Sequence, residues 1–496
     1  MMVLENQENV WNLKNKHIKI KNLRCYDAKE IIMPRKIINR SLAVKTDSYK
    51  PSHWLQFPPD TEEMFYYIEP RVEKQVISVF GQQELVMKHF MEVPSMNDIE
   101  YAKEFWNDHG EPFNYEGWKY INKLGYLPLE IRSVPEGTIM PSQNIITSFR
   151  STDKNCFWLP GWCETLAMQL WYPTTASTIA LEFKKVLYKW LEKTGTIETL
   201  PFKVHDFGYR GATCNEAAGV YGLGFLVHFM GTDNAAAILD GREFYNTNAM
   251  LGFSIPAAEH STIISWGREG EEAAYDNILN NFAKAGKYVA VVSDSYDLSN
   301  AVRNIWCGSL KQKVLDSGCT LVVRPDSGDP EEVVLRTVQE LEEGFGINTI
   351  KGYKVLPMAV RIIQGDDISR AADSYKILSM LASKGYSTDN LAFGVGAGVA
   401  QKYNRDTLKF AEKNSAIKRS GVWYDVCKSP KDAPWKASKA GQLDLSIDFK
   451  TVNIRDYNGP SAMRTIFRNG ELLVDESFET IRKRSDMYFD IIYKNQ

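Results

Sequence analysis

Residues 320–345, TLVVRPDSGDPEEVVLRTVQELEEGF, carry the pattern that decides the fold. The short apolar run at 321–323 is typical of a buried strand, and charged residues, proline and glycine follow it. Residues 331–345 then space their apolar side chains as an amphipathic helix does. The segment therefore predicts one strand–loop–helix unit.

The same unit recurs between residues 200 and 400. Similar apolar runs with polar, acidic or glycine-containing tails are FKVHDFGYRG (202–211), LVHFMGTD (226–233), FSIPAAEH (253–260), YVAVVSDSYD (288–297), VRIIQGDD (360–367) and LAFGVGAG (391–398). Strand–loop–helix units that repeat in this way indicate an α/β fold with a parallel sheet. Seven runs favour a TIM-like (β/α) barrel over an open sheet, and we predict this barrel domain over residues 196–399.

The segments on either side of the barrel have a different character. Residues 41–195 mix helical and strand patterns, and residues 400–496 end in short alternating stretches such as TVNIRDY. We therefore predict a discontinuous α+β domain made of 41–195 with 400–496, in which the C-terminal part is an all-β tail. Residues 1–40 hold nine Lys or Arg against four acids, which predicts a basic N-terminal extension that is flexible or loosely docked.

The composition excludes several classes of protein. With 496 residues, 44% of them hydrophobic, the chain can bury a large core, and a wholly disordered chain is excluded. The net charge of −3 provides no global field for nucleic acid or anionic membrane. Seven scattered cysteines fit reduced thiols, and the sequence has no zinc motif and no Walker P-loop. These features predict a soluble, cytoplasmic protein that binds neither nucleic acid nor membrane.

Charged side chains collect at the ends of the predicted strands, where barrel enzymes carry their chemistry. They are His205, Asp206, Arg210, Asp233, His260, Asp294, Arg324, Asp326 and Asp366. Arginine pairs bidentately with phosphate, and glycine lets main-chain N–H groups approach an anion, so this edge predicts a site for a phosphorylated sugar. His260 is either a nucleophile or general base, or a core histidine. His228 is predicted to lie in the core, His205 could be either, and Asp329 and Asp367 are predicted helix N-caps.

Longer strings in the sequence carry a resemblance. TDSYKPSHWLQFPPDTEEMFYYIEPR, HDFGYRG, MGTD, IPAAEHSTI, VVSDSYD, VVRPDSGDP, RIIQGDD and LAFGVGAG resemble the nicotinamide phosphoribosyltransferase family in order and approximate spacing, over residues 41–490. The resemblance implies transfer of a phosphoribosyl group from phosphoribosyl pyrophosphate to nicotinamide, with Mg²⁺ as cofactor. It further implies ATP as a co-substrate that phosphorylates a histidine, and a homodimer with shared active sites.

The resemblance also implies a role for each residue that matches a family motif. The catalytic pair would be His260, which is phosphorylated, and Asp294, which holds its imidazole. The residues that would bind nicotinamide are Phe207, Asp233, Arg324 and the partner's Tyr49. Those that would bind the phosphoribosyl and diphosphate groups are Arg71, Arg210, Asp326, Gly365, Asp366, Gly396, Ala397 and the partner's Arg405 and Lys413. No residue is assigned to Mg²⁺.

Two positions depart from the family pattern. Ala397 stands where the phosphate loop usually has another glycine, and a positive φ at that position would cost ~1 kcal/mol or more. Ala290 stands where a serine would help to bind the carboxamide, and the missing hydrogen bond would weaken binding by ~0.5–1.5 kcal/mol.

Three alternatives to this function stay open. The first is the same chemistry with nicotinate as the base, which the negative charge of Asp233 opposes. The second is a non-catalytic binding protein on this fold, which would have no physical need for the charged edge. The third is an unrelated barrel enzyme that acts on sugar phosphates.

Overall fold

The computed structural model describes residues 41–365, 367–432 and 437–494. In these ranges the strands β1 to β19 are, in order, Thr61–Pro70, Val76–Ser78, Leu129–Ser133, Ile139–Pro141, Thr147–Ser151, Val204–Asp206, Gly231–Thr232, Tyr288–Val292, Thr320–Arg324, Asn348–Ile350, Tyr353–Val355, Val360–Gln364, Leu391–Val395, Phe410–Arg419, Val422–Asp425, Leu443–Leu445, Thr451–Asn453, Arg464–Arg468 and Glu471–Leu472.

The helices of the same ranges are named in the same way. In order, α1 to α15 are Gln82–His89, Met96–His109, Tyr115–Leu124, Leu159–Ala167, Trp171–Thr194, Asn215–Leu226, Ala235–Phe244, His260–Ile264, Glu271–Phe282, Leu298–Asn300, Lys311–Ser317, Pro330–Phe345, Ala371–Ser383, Ala397–Gln401 and Phe478–Phe489. The predicted basic extension, residues 1–40, lies outside the described residues.

A parallel sheet of six strands confirms the predicted α/β core. Its strand order is β7-β6-β13-β12-β9-β8, and the neighbouring strands pair in parallel throughout. Helices that follow the strands cover the sheet, so that the apolar residues of the strands pack against apolar helix faces. The curled sheet with its helices has the architecture of a TIM-like domain.

The two edge strands of this sheet are joined through residues 253–258. On one side, the main-chain N–H of Phe253 donates to the carbonyl of Met230 at 2.7 Å. On the other side, the N–H of Ala290 in β8 donates to the carbonyl of Pro256 at 2.9 Å. The run predicted as a strand at 253–260 is therefore an irregular link that bridges β7 and β8, and it leads directly into α8.

The predicted strand at 226–233 is mostly wrong. Helix α6 extends to Leu226, and the strand itself comprises Gly231 and Thr232 alone. Val227 and Phe229 are fully buried in the turn between them. A short apolar run does not distinguish a strand from the buried end of a helix, which explains the error.

The strand–loop–helix unit at 320–345 forms as predicted. The carboxylate of Asp329 accepts hydrogen bonds from the N–H groups of Glu331 and Glu332, both at 3.1 Å, and so caps α12. Pro330 occupies the first helical position, which suits its fixed φ. The predicted cap at Asp367 is wrong, because α13 begins at Ala371.

A second, antiparallel sheet joins the two ends of the chain. Its strand order is β15-β14-β1-β5-β3-β18-β19, so three N-terminal strands lie between two pairs of C-terminal strands. The domain boundaries at 195 and 400 stay a prediction. The all-β tail is wrong, because helix α15 follows β19, and its Arg482 guanidinium donates to the carbonyls of Leu226 and Leu251 at 2.7 and 2.8 Å.

Long apolar helices of the kind that cross a bilayer do not occur in the described ranges.

Candidate active site

The centre of the charged edge is a histidine held by a buried carboxylate. His260 is the first residue of α8, and its Nε2 lies 3.1 Å from Oδ1 of Asp294, which follows β8. The Asp294 side chain is 5% exposed. Its second oxygen, Oδ2, accepts hydrogen bonds from the main-chain N–H of Asp326 at 2.9 Å and from the hydroxyl of Ser327 at 2.6 Å. The structure thus brings the two predicted catalytic residues into contact.

Asp326 connects this pair to the neighbouring strands. Its Oδ2 lies 3.9 Å from Nδ1 of His260 and 3.5 Å from Nη2 of Arg324. A Cβ added at Gly365 would stand 3.1 Å from Oδ1 of Asp326 and 3.8 Å from Cε2 of Phe207. Predicted residues from four strand ends therefore meet at one place on the edge. Asp366, predicted to contact the ribose, lies outside the described residues.

The aromatic ring of Phe207 lies against a glycine. A Cβ added at Gly394 would come within 2.3 Å of Cε2 of Phe207, so a side chain at this position would displace the ring. The Phe207 N–H donates to the carbonyl of Val395 at 2.8 Å, which fixes the start of the loop. Phe207 also packs against an apolar cluster that includes Ala290. The sequence departure at Ala290 therefore lies beside the predicted base-binding ring.

Asp233 and Asp206 occupy neighbouring strand ends but have different environments. Asp233 is exposed, and its carboxylate accepts a hydrogen bond from the hydroxyl of Ser254. Asp206 is buried and accepts hydrogen bonds from Gly208 N–H at 2.8 Å, Tyr221 Oη at 2.8 Å and a side-chain nitrogen at 3.0 Å. Burial raises the pKa of Asp206. Asp233 is thus available to a ligand, whereas Asp206 fixes the loop that carries Phe207.

The histidines also differ in how far they are exposed. His228 is buried, and its Nε2 lies 3.0 Å from Oγ of Ser78, which confirms the prediction that it belongs to the core. Burial holds the pKa of His228 well below its ordinary value. Burial also lowers the pKa of His205, whose Nε2 lies 3.0 Å from the carbonyl of Phe202. His260 is the histidine of this group that lies at the edge with its ring accessible.

The predicted phosphate-binding segments meet at two small residues. Gly396 precedes α14 and Ala397 is its first residue. A Cβ added at Gly211 would lie 2.3 Å from Cβ of Ala397, so the alanine methyl packs directly on that glycine. Ala397 is not among the residues with positive φ, and the strain considered for this position is absent. Arg210 lies beside this contact and is 89% exposed, with Nη2 3.9 Å from Oε2 of Glu259.

A second group of charged residues lies on the antiparallel sheet. The Nε of Arg71 donates to Oε1 of Glu69 at 2.7 Å, and Lys439 donates to the other oxygen of the same carboxylate. The Arg71 Nη2 is buried and has no hydrogen-bond partner in the described part of the chain. Lys413 lies close enough to Arg71 for their charges to interact, and burial lowers the pKa of Lys413. We call Glu69, Arg71, Lys413 and Lys439 the sheet cluster.

Tyr49 and Arg405, which the sequence assigns to the partner's site, are exposed by 56% and 59%. Four residues that the sequence analysis missed contact the predicted ones, namely Ser254, Ser327, Glu69 and Lys439. Serine, glutamate and lysine are common on protein surfaces. The signal that could have drawn attention to Ser327, Ser254 and Glu69 is their position inside the strings RPDSGDP, FSIPAAEH and TDSYKPSHWLQFPPDTEEMFYYIEPR.

The fold matches solved structures of known activity class. The crystal structure of nicotinate-nucleotide pyrophosphorylase from Pyrococcus furiosus matches with a TM-score of 0.58 and 14% identity, over 90% of this chain and 95% of the other. Human nicotinic acid phosphoribosyltransferase matches with a TM-score of 0.50 and 13% identity, over 90% and 93%. At these identities the likeness concerns the fold alone.

Proteins of similar sequence identify the family, which the solved structures do not. A protein from Xanthomonas campestris pv. campestris (strain 8004), named nicotinamide phosphoribosyltransferase, is 43% identical over 90% of this chain and 98% of the relative. One of the same name from Acinetobacter baylyi is 30% identical over 88% and 95%. The model of the nicotinate phosphoribosyltransferase (NAPRTase) family matches residues 202–471, and that of the nicotinamide phosphoribosyltransferase N-terminal domain matches 41–131. The chain therefore belongs to the nicotinamide phosphoribosyltransferase family, which confirms the resemblance seen in the sequence, and its larger part has the NAPRTase family pattern.

Proposed function

We propose that this enzyme transfers the phosphoribosyl group of phosphoribosyl pyrophosphate to nicotinamide, and that the products are nicotinamide mononucleotide and pyrophosphate. The observation that carries the choice of base is the pairing of β6 with β7. Asp206 pairs with Thr232, so Phe207 and Asp233 follow at equivalent positions on neighbouring strands. An aromatic face beside an exposed carboxylate suits a flat pyridine ring with a carboxamide.

Asp233 favours the amide over the acid. Its carboxylate would accept hydrogen bonds from the carboxamide NH₂, and the Ser254 hydroxyl already holds one carboxylate oxygen in place. Nicotinate would bring a second negative charge against Asp233, and two like charges in a site with little water repel strongly. Tyr49 of the partner subunit would cover the ring face opposite Phe207.

The phosphoribosyl group would lie across the charged edge. Asp326, Gly365 and Asp366 would contact the ribose, and Arg324 would orient the base and the phosphate. Arg210 and the partner's Arg71 would bind the diphosphate, whereas the 5′-phosphate would be held by Gly396, Ala397 and the partner's Arg405 and Lys413. The exposure of Arg210 supports this assignment, as does the Nη2 of Arg71, which has no hydrogen-bond partner among residues 41–365, 367–432 and 437–494. Both groups thus have donors for an anion.

The mechanism follows from the movement of charge. As the bond between C1 of ribose and the diphosphate breaks, positive charge develops on the sugar and negative charge on the leaving group. The arginines neutralise the leaving group, while Phe207 and Asp233 hold the pyridine nitrogen in line with C1. That nitrogen has no proton to lose, so the transfer requires no general base.

Mg²⁺ would enter with the substrate. The described residues contain no cluster of three or more His, Cys, Asp or Glu side chains suited to a metal. Mg²⁺ commonly binds through substrate phosphates, waters and one or two carboxylates, which fits this edge with its separate aspartates. Bound to the diphosphate, the ion would supply further neutralisation of the leaving group.

ATP would act through His260. With the Asp294 carboxylate as the acceptor, Nε2 would carry the proton and Nδ1 would present its lone pair to an electrophile. This nitrogen would attack the γ-phosphorus of ATP, the bond from phosphorus to the bridging oxygen would break, and ADP would leave with the electron pair. The resulting phosphohistidine beside the diphosphate site would enhance the transfer.

Shared active sites in a homodimer account for the position of the sheet cluster. Tyr49 and Arg405 are exposed, and the sheet cluster belongs to a different sheet from the barrel edge. A second subunit that covers the edge would bring these residues to it.

The six free cysteines of the described chain agree with a cytoplasmic enzyme.

The test is formation of nicotinamide mononucleotide from nicotinamide and phosphoribosyl pyrophosphate with Mg²⁺, with and without ATP. We expect product in both reactions and more of it with ATP, and His260→Ala should lose the ATP effect while retaining some transfer. A parallel assay with nicotinate decides the base, because faster turnover of nicotinate would show that the choice of nicotinamide is wrong. No product from either base would support a non-catalytic binding protein.

A further inference from the structure

Asp294 holds His260 with one oxygen, and its other oxygen is held in turn. The Oδ2 atom accepts two hydrogen bonds from the loop between β9 and α12, one from the main-chain N–H of Asp326 and one from the hydroxyl of Ser327. The two donors leave Oδ1 as the oxygen that faces the imidazole. The orientation of the histidine is therefore set from a neighbouring strand.

The backbone conformation of its loop places Ser327 in this position. Gly328 has a φ of +94°, a backbone conformation that favours glycine, and it turns the chain immediately after the serine. Asp329 then caps α12. Ser327 is exposed, and its hydroxyl donates to Oδ2 of Asp294 at 2.6 Å.

We propose that Ser327 is a positioning residue for His260, which acts by holding Oδ2 of Asp294 and by sharing its negative charge. The inference rests on the proposed function only for its consequence in the ATP step. The contact itself belongs to the structure of the free enzyme.

Charged groups approach His260 from every element around it. They are Asp294 after β8, Asp326 after β9 with Arg324 beside it, and Glu259 before α8 with Arg210 beside it. Asp294 is the most buried carboxylate of this group and the one hydrogen-bonded to the ring. A change in its charge distribution therefore reaches the imidazole more strongly than a change in the exposed groups.

The direction of the effect follows from hydrogen bonding to a carboxylate. A donor on Oδ2 disperses the negative charge, so removing the hydroxyl concentrates that charge beside the imidazole and favours the protonated ring. Ser327→Ala should therefore raise the pKa of His260. If the substitution only loosened the loop, the pKa of His260 would fall instead. A histidine that loses its carboxylate partner loses stabilisation of its charged form.

The experiment is an NMR titration of the full-length protein with selectively labelled histidine, in which the His260 signal is the one missing from His260→Gln. We expect the pKa of His260 to rise by about half a unit or more in Ser327→Ala. Ser327→Thr, which keeps the hydroxyl and directs its methyl to solvent, should titrate like the original protein. Ser383→Ala is the matched control, because that exposed hydroxyl bonds to a helix carbonyl instead.

Three results would overturn the proposal: no shift in Ser327→Ala, a downward shift, or an equal shift in Ser327→Thr. If Ser327→Ala does not fold, Ser327→Cys replaces it, and the weaker thiol donor should still shift the pKa upward. A second measurement is the incorporation of phosphate from γ-labelled ATP as a function of pH. The pH below which incorporation falls should rise together with the pKa of His260. If the original protein takes up no phosphate, the ATP step is wrong, while the titration still decides the role of Ser327.

Discussion

Asp294 and Asp233 show how the same side chain serves two purposes at one edge. Asp294 is almost fully buried and accepts three hydrogen bonds from the protein, so its carboxylate is already committed to His260. Asp233 is exposed and accepts one side-chain hydrogen bond, from Ser254. Four lone-pair directions on a carboxylate leave Asp233 with capacity for a ligand. Accessibility, rather than residue type, separates the positioning group from the group that would select the base.

Removal of the charge of Asp233 should relax the choice of base. In Asp233→Asn the amide can still bond to nicotinamide, but the repulsion of nicotinate is lost, so the preference for nicotinamide should fall at least about tenfold. Paired measurements of kcat/KM for the two bases test this. Asp316→Asn, at an exposed acid on α11, should keep the original preference. An unchanged ratio in Asp233→Asn would show that another group selects the base.

A methyl at Gly394 should impair binding of the base without unfolding the barrel. The added Cβ would stand 2.3 Å from Phe207, so the ring must move from the position proposed for stacking. We expect Gly394→Ala to raise KM for nicotinamide about tenfold or more, with a smaller effect on phosphoribosyl pyrophosphate. Gly308→Ala is the control, since its methyl meets only a carbonyl oxygen at 3.5 Å. Equal KM values for the two variants would exclude the steric argument.

The parallel strands were predictable because each apolar run is short, continuous and followed by polar residues. The carboxyl ends of such strands meet at one edge, and that topology alone placed His260, Asp294 and Arg324 near one another. The link at 253–258 could not be predicted, because its irregular backbone is determined by hydrogen bonds to β7 and β8. Ser254 and Ser327 were missed for a related reason, since a serine has no role until folding supplies its partner. Helix α15 was not predicted because its segment is mostly polar. Its few apolar residues form a recognisable face only when the helix packs against its neighbours.

Helix α1 ends in a half-buried histidine that should make stability depend on pH. Burial, reinforced by the charges of Lys45 and Lys88, lowers the pKa of His89 to about 4. The folded protein then binds fewer protons than the unfolded chain between pH 4 and 6.5. The free energy of unfolding should therefore rise with pH across this window, and this contribution is lost as the pH falls toward 4.

Replacement of His89 by leucine removes this titration. The variant should show a flatter dependence of unfolding free energy on pH between about 4 and 6.5, with a difference of about 2 kcal/mol between the ends of the window. Chemical denaturation at a series of pH values measures it. His109→Gln, at an exposed histidine on α2, should keep the original slope. Parallel curves for His89→Leu and the original protein would contradict the assignment.

The molecule as a whole distributes its charged residues over two sheets. The barrel edge carries the histidine, the base-binding residues and Arg210, whereas the sheet cluster and Arg405 belong to segments near the antiparallel sheet. Helix α15 nevertheless ties the C-terminal part to other helices, through Arg482 to the end of α6 and through a 2.6 Å ion pair between Lys184 of α5 and Asp486. Each subunit would thus offer a complete edge and, separately, a complete set of residues for its partner.

Mixed dimers test this arrangement. Asp326→Asn damages the barrel edge and Arg405→Ala damages the contribution to the partner, so a dimer of the two variants should contain one intact site. Random mixing makes half of the dimers mixed, and about a quarter of the original activity should return. Tyr49→Ala mixed with Arg405→Ala is the control, because both residues would come from the same subunit to a site and no intact site forms. Equal activity of the two mixtures would argue against shared sites.

The link that bridges β7 and β8, together with the start of α8, connects two proposed properties of the site. Residues 253–260 include Ser254, which contacts the proposed selector of the base, and end at His260, the proposed site of ATP coupling. The stretch is anchored by main-chain hydrogen bonds to its neighbours rather than by a regular ladder. One short segment therefore touches both the proposed selector of the base and the histidine proposed to react with ATP. A change in its backbone would alter the preference for the base and the response to ATP together.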